Sequence, residues 1–257
     1  MSSVISINNS SLVYRKTPWD NKVFNIETKE ILNIDYQSID DIEKLIQSFE
    51  STFDNNGLMY FRVDSNERIL KEKLLSNGYY ICETSINLIS KNIQRFDFNK
   101  IFKKDYILNS NLNIDYIEQL KEICFSSFNY SRFHEDPFLK KEESKERYRN
   151  WIGDLVKQNK KILFYEKNKI VYSFMFYEII EKDTVTLLLG GSKNSFGQMT
   201  PIFWTSVFNF LKNKGIKTIN VTVSAANITI LNLYLMNGFL IKNSTLDYHK
   251  LIYKDKK

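Results

Sequence analysis

The sequence predicts an α+β protein built in two parts, and three observations carry that reading. Short apolar runs of strand length alternate with amphipathic stretches of helical period along the chain. A polar stretch, SKNIQRFDFNK, interrupts the alternation and reads as a linker, which places a domain boundary near residues 91–104. Finally, one strand–helix–glycine–strand unit occurs twice: FRVDSNERILKEKLLSNGYYI aligns on VTVSAANITILNLYLMNGFLI at an offset of 160 residues. The expected domains are 1–95 and 105–257.

In the first part, residues 12–15 read as a strand, followed by TPWDNKVFNI, a strand near 27–31 and a helix over about 38–53. LMYFRVD is a strand. SNERILKEKLLSNG is a helix closed by Gly78, because glycine adopts the left-handed conformation after a helix C-terminus at little cost. YYICETSINLI is the returning strand. In the second part, Ile117, Leu120, Ile123 and Cys124 mark one face of a helix, and Tyr148, Trp151, Ile152 and Leu155 recur at i, i+3, i+4, i+7 in the next. KILFYEKNKIVYSFMFYEII is a hairpin turning near residues 167–169, and TVTLLL is a third strand. Thr200 as N-cap and Pro201 as first helical residue open a helix whose buried stripe is Trp204, Val207, Phe208 and Leu211. TINVTVS is a strand, Asn227 begins a short helix, and FLIKNSTLDYHKLI is the last strand.

Composition narrows the function classes. A chain of 257 residues with 43% hydrophobic and 26% charged residues can bury a sizeable core. The net charge of +6 is spread among glutamates and asparagines without a basic block, which argues against nucleic acid and for mild attraction of small anions. Two cysteines, Cys82 and Cys124, are too few for a disulfide framework, and with only His134 and His249 beside them no metal is expected. No leader core and no run near the roughly 18 apolar residues of a membrane span is read, so the expectation is a soluble cytoplasmic protein without membrane insertion.

The repeat supplies an internal control for two residues of the second copy. Asn227 and Tyr234 stand where the first copy carries Glu67 and Leu74, so the unit can form with neither polar side chain. The plain readings are an N-cap for Asn227 and a core aromatic for Tyr234. Seven residues advance a helix by about 700°, close to two full turns, so both side chains leave from one edge. That edge begins where a strand ends, a place where α/β proteins bind ligands.

LLLGGSKNSFGQMTPIFWTSVFNFLKNKGIKTINVTVSAANITILNLYLMNGF resembles the acyl-CoA-binding core of the GNAT N-acetyltransferases, its most specific part being strand–Asn–helix–LY–x–x–Gly–Phe. PWDNKVFNI and SRFHEDPFLKKEESKERYRNWI, with the half-repeat in front, resemble the branch that includes TDP-fucosamine acetyltransferase and other nucleotide-amino-sugar N-acetyltransferases. The resemblance implies the GNAT acyl-CoA N-acyltransferase fold, with a truncated, degenerate GNAT-like domain ahead of it. It also implies transfer of acetyl from acetyl-CoA to the amine of a nucleotide-linked, dTDP-type amino-deoxy sugar for surface polysaccharide synthesis. In the family the pyrophosphate of coenzyme A sits on a loop carrying Gln/Arg–x–x–Gly–x–Gly/Ala. Here NSFGQMT keeps only Gly197, and two registers fit, one with Ser195 and one with Phe196 at the usual arginine. Asn194, Ser195, Phe196, Gly197, Gln198, Met199 and Thr200 are therefore the expected phosphate cradle, helped by the positive end of the following helix.

By the same resemblance, main-chain N–H groups at Leu188, Leu189 and Gly190 polarise the acyl carbonyl, and Tyr234 gives a proton to the departing sulfur. A phenol of ordinary pKa near 10 is protonated at neutral pH, which suits that task. Asn227 is expected to hold the pantetheine or an ordered water. No residue declares itself a general base: His134 and Glu178 are candidates, though a solvated loop histidine and a strand-edge glutamate are the plainer readings. Arg132, in the loop SRFHED, is a candidate partner for the nucleotide diphosphate, with a surface arginine as the plainer reading. Trp19 and Phe24 read as domain packing in preference to sugar stacking. An apolar face on the N-terminal half points to a homodimer. Two rival functions stay open: acylation of a protein N-terminus or small amine, and a catalytically silent acyl-CoA-binding or interaction module, which the missing glycines favour.

Overall fold

Alternation of pleated and helical periods is what orders the elements in the computed structural model, which describes residues 2–98 and 103–254. Residues 99–102 of the expected linker lie outside the described residues. Contacts group the chain into two compact units: Met1–Ser85, Ser131–Ser144 and Asn243–Lys257 form the first, and Ile86–Tyr130 with Lys145–Lys242 the second. The first unit thus takes the SRFHED loop and most of the last strand, both of which the sequence reading puts within residues 105–257.

In the first unit, β1 (Ser2–Ile7), β2 (Ser10–Lys16) and β3 (Glu27–Asp35) pair antiparallel. β4 (Gly57–Asp64) then runs parallel to β3. Between β2 and β3 lies α1 (Pro18–Phe24), whose Pro18 occupies the first turn, where proline's missing N–H costs nothing. The helix α2 (Ile39–Ser51) starts on the N-cap Ser38, whose hydroxyl accepts from Asp41 N, and it lays Ile42, Leu45, Ile46 and Phe49 into a core with Leu12, Ile31 and Phe61. After α3 (Arg68–Ser76) comes β5 (Tyr80–Lys91), which leaves the first unit after Ser85. The strand β1 was not anticipated: SSVISI is mostly exposed and pairs with β2 alone, so its burial pattern carries little signal.

The second unit holds α4 (Ile114–Ser127), most of α5 (Lys141–Lys157), β6 (Lys161–Lys167), β7 (Ile170–Glu181), β8 (Thr184–Ser192), α6 (Thr200–Asn213), β9 (Thr218–Ser224) and α7 (Ile228–Met236). Its strand order is β5-β9-β8-β7-β6. The hairpin β6–β7 turns at Asn168 and Lys169, with φ of 54° and 63°, the left-handed pair that a two-residue turn between twisted strands requires. The two faces of β7 and β8 bury different sets. Phe174, Phe176 and Leu189 pack with Leu120, Ile123 and Ile152 of α4 and α5, while Met175, Val185 and Leu187 pack with Trp204, Val207 and Phe208 of α6. Asn194–Met199 forms a 3-10 turn leading into α6, so the helix begins at Thr200 itself with Met199 as N-cap. This corrects the capping role expected of Thr200. The final strand is β10 (Leu240–Ile252), which enters the first unit at Asn243 and pairs antiparallel with β4.

The repeat read from sequence has matching local geometry. Helices α3 and α7 cover equivalent positions, and the glycines that end them, Gly78 and Gly238, have φ of 78° and 79°. Asn77 Nδ2 donates to Lys73 O at 2.8 Å, and Asn237 Nδ2 to Leu233 O at 2.7 Å. Where Asp64 accepts from Asn66 N, Ser224 accepts from Ala226 N, so both turns from strand to helix are tied by a side-chain oxygen.

Candidate active site

The site is built where β8 parts from β9. These strands pair in parallel from Thr184↔Thr218 to Leu187↔Val221, and there the ladder ends, although β8 continues to Ser192 and β9 to Ser224. On its other side β8 stays paired with β7 as far as Ser192, but with a bulge: Tyr177 faces Leu187 and Phe176 faces Leu189, so Leu188 is the extra residue. A bulge turns the strand locally and increases its twist, which here coincides with the loss of the β9 partner. Leu188, Leu189 and Gly190, the expected carbonyl-binding stretch, therefore lie on the segment of β8 without β9 pairing.

Tyr234, on α7, is buried, with its ring against Phe208 and Phe239. Its Oη accepts a hydrogen bond from Trp204 Nε1 at 3.1 Å. A side chain added at Gly190 would place its Cβ 3.2 Å from Trp204 Cζ2. Nε1 and Cζ2 share the bond partner Cε2, so one edge of the indole meets both Gly190 and the phenol oxygen. Burial pushes the Tyr234 phenol well above the usual tyrosine range, while the bond from Trp204 pulls it the other way. The hydroxyl is a held proton whose oxygen is already an acceptor, leaving its hydrogen to point elsewhere. The sequence marks Trp204 only as part of a buried stripe. The available signal was that a buried indole N–H needs an acceptor.

Asn227 is the N-cap of α7, its Oδ1 accepting from Ile230 N at 3.4 Å, which leaves its amide N–H₂ unassigned. In the 3-10 turn, Phe196 N donates to Lys193 O and Thr200 N to Gly197 O, so two amides of the expected cradle are used within it. The Phe196 ring is buried among Tyr106, Tyr165 and Tyr172. Asn194, Ser195, Gly197 and Gln198 are exposed, Met199 and Thr200 half-buried, and a Cβ at Gly197 would meet nothing within 4 Å. The space beside Gly197 suits close approach of an anion to backbone.

Of the three acceptor candidates, Glu178 lies in the second unit with Tyr234. Glu178, on β7, is ion-paired with Lys160. Arg132 and His134 lie in the first unit. The Arg132 guanidinium donates to Glu30 Oε1 at 3.2 Å and Asp247 Oδ1 at 3.4 Å and lies 4.3 Å over the Tyr60 ring, so its charge is already met by two carboxylates. His134 Nδ1 shares a 2.8 Å hydrogen bond with Ser131 Oγ. Phe24 packs on Phe133, whereas Trp19 is 41% exposed with the Arg15 guanidinium above it.

Neither a protein-family model nor a curated protein matches the chain. Solved structures do. A GCN5-related N-acetyltransferase from Sphaerobacter thermophilus superimposes with a TM-score of 0.62 at 9% identity, covering 96% of this chain and 82% of that one. A tandem GNAT protein from the clavulanic acid biosynthesis pathway gives 0.58 at 6% identity, over 96% and 80%. A GCN5-related glucosamine N-acetyltransferase region of a fungal multi-domain β-N-acetylglucosaminidase gives 0.62 at 10% identity, over 94% of this chain and 31% of that one. The chain therefore has the GNAT fold. No helix among the described residues is long and apolar enough to cross a membrane.

Proposed function

We propose that this chain is an acetyl-CoA-dependent N-acetyltransferase whose acceptor is the amine of a nucleotide-linked amino-deoxy sugar, with dTDP as the favoured nucleotide, in surface polysaccharide synthesis. Residues 105–257 would be the transferase domain and 1–95 its degenerate copy, working in the cytoplasm as a monomer or homodimer. The observation that carries the reading is the parting of β8 from β9 at a bulge, with a buried, protonated Tyr234 one indole edge away. A glucosamine N-acetyltransferase among proteins of this fold supports an amino-sugar acceptor; the particular nucleotide rests on the sequence resemblance.

Acetyl-CoA would supply an activated thioester. Amides of β8 beyond Leu187 would polarise its carbonyl, since alternate N–H groups of a strand point to each side and those toward β9 have lost their strand partner. Tyr234 would hold the proton that the departing sulfur needs. Asn227 would offer its amide N–H₂ to the pantetheine, and the turn at Asn194–Met199 its open flank at Gly197 to the phosphates. The acceptor amine enters as the free base and loses its proton to water or to an unassigned base.

The test is release of free thiol from acetyl-CoA with a panel of amino-sugar nucleotides. Tyr234→Phe is expected to lower turnover by about 10²–10⁴-fold while calorimetry shows coenzyme binding unchanged. A catalytically silent acyl-CoA-binding or interaction module is the second reading, favoured by the amides of Phe196 and Thr200 being closed within the turn. It predicts no thiol released for any amine, sugar-linked or peptidic, whether or not coenzyme binds.

A further inference from the structure

We propose that the first unit carries a zinc site formed by Cys82 of β5, Asp136 of the 131–144 segment and His249 of β10. All three are buried, and one ligand atom from each lies within 4.8 Å of the others. The set shares no residue with the candidate active site. Sequence spacing hides it, because Asp136 and His249 are 113 positions apart and no short metal-binding motif is formed.

The geometry is close to what the ion needs. Zinc bonds of about 2.0–2.3 Å in a tetrahedron put ligand atoms about 3.3–3.8 Å apart, so a cluster within 4.8 Å is of suitable size once its closest pair opens. The opening falls on His249 Nδ1 and Asp136 Oδ2, now hydrogen-bonded at 2.7 Å. Tyr80 Oη, 3.2 Å from Asp136 Oδ2, offers an oxygen for a fourth position.

The surroundings of the buried carboxylate point to a cation. The Asp136 carboxylate is served by Tyr80 Oη, His249 Nδ1, Phe138 N and the Cys82 thiol, and no lysine or arginine among the described residues pairs with it. A divalent cation bound by one carboxylate, one thiolate and one neutral imidazole brings the local charge to zero. Binding forms the zinc–sulfur bond as the thiol proton leaves to solvent. A mixed sulfur, nitrogen and oxygen set favours zinc over magnesium or calcium, which prefer oxygen alone.

The full chain, purified without tag or chelator, is assayed for zinc by plasma mass spectrometry. It is then stripped, and reloaded with cobalt(II) to read the thiolate-to-metal charge-transfer band. About one equivalent of metal per chain and a thiolate band are expected in the parent and in Cys124→Ser, and both are expected to be lost in Cys82→Ser and weakened in Asp136→Asn. Binding below about a tenth of an equivalent after zinc is added back, or undiminished binding in a folded Cys82→Ser, overturns the site. If Cys82→Ser does not fold by circular dichroism, the Cys124→Ser spectrum decides. A tetrahedral thiolate band supports the site, and an octahedral spectrum without one overturns it.

Discussion

At the residue scale, Tyr234 combines two roles that its counterpart separates. Leu74, at the equivalent place in the first copy, is fully buried, and the Tyr234 ring fills the same kind of position, so packing explains the ring and not the hydroxyl. The hydroxyl answers the Trp204 N–H. Removing it in Tyr234→Phe leaves that N–H buried without an acceptor, and a loss of about 1–3 kcal/mol is expected in denaturant unfolding, alongside the turnover loss. Asp41 gives a pH prediction. The Ser10 hydroxyl, at 2.8 Å, and the Asn8 amide, at 2.9 Å, hold its carboxylate below the usual aspartate range. A depressed folded pKa means stability that is complete above the unfolded value near 3.9 and is lost as pH falls through the folded value. Unfolding midpoints measured from pH 5 downward should therefore fall more steeply in the parent than in Asp41→Asn.

At the scale of elements, the two copies of the strand–helix–strand unit permit a paired experiment. Gly78 and Gly238 both require a left-handed backbone, but a Cβ at Gly238 would come 2.2 Å from Phe96 Cε1, whereas at Gly78 its nearest neighbour is Lys250 Cε at 3.8 Å. Gly78→Ala should cost about 1–2 kcal/mol for the backbone alone, and Gly238→Ala measurably more, read as urea midpoints. Asn227→Ala removes the only side-chain cap that α7 has, and about 1 kcal/mol is expected from that alone. A coenzyme affinity falling by more than the stability change would show that the amide also touches ligand. These elements were legible in sequence because glycine after a helix and a capping Asn are local devices. The start of α6 was not: whether Met199 or Thr200 precedes the first helical turn depends on how the 3-10 turn docks Phe196 among Tyr106, Tyr165 and Tyr172.

For the whole molecule, a ligand that binds only the folded chain stabilises it by mass action. Acetyl-CoA at about 100 times its dissociation constant should add about 2.7 kcal/mol, visible as a rise in Tm, and no rise would count against coenzyme binding altogether. The net charge of +6 should make association with that anion faster at low salt, which stopped-flow binding across ionic strengths would reveal. The compact units add a qualification to any truncation. A chain cut after residue 95 would lack Ser131–Ser144 and Asn243–Lys257, and with them Asp136, Asp247 and the β10 strand that pairs with β4.

By itself the sequence determined the alternation of strands and helices, the repeated unit with its two left-handed glycines, and the pairing of Asn227 with Tyr234 on one short helix. These follow from periodicity and backbone preference, which act over a few residues. The tertiary structure alone decided that Leu188 is bulged where β9 falls away, that Trp204 holds the phenol, that Arg132 is spent on Glu30 and Asp247, and that Cys82, Asp136 and His249 meet. Each of these joins residues far apart in the chain, and such a meeting is fixed by the packing of whole elements rather than by any local preference.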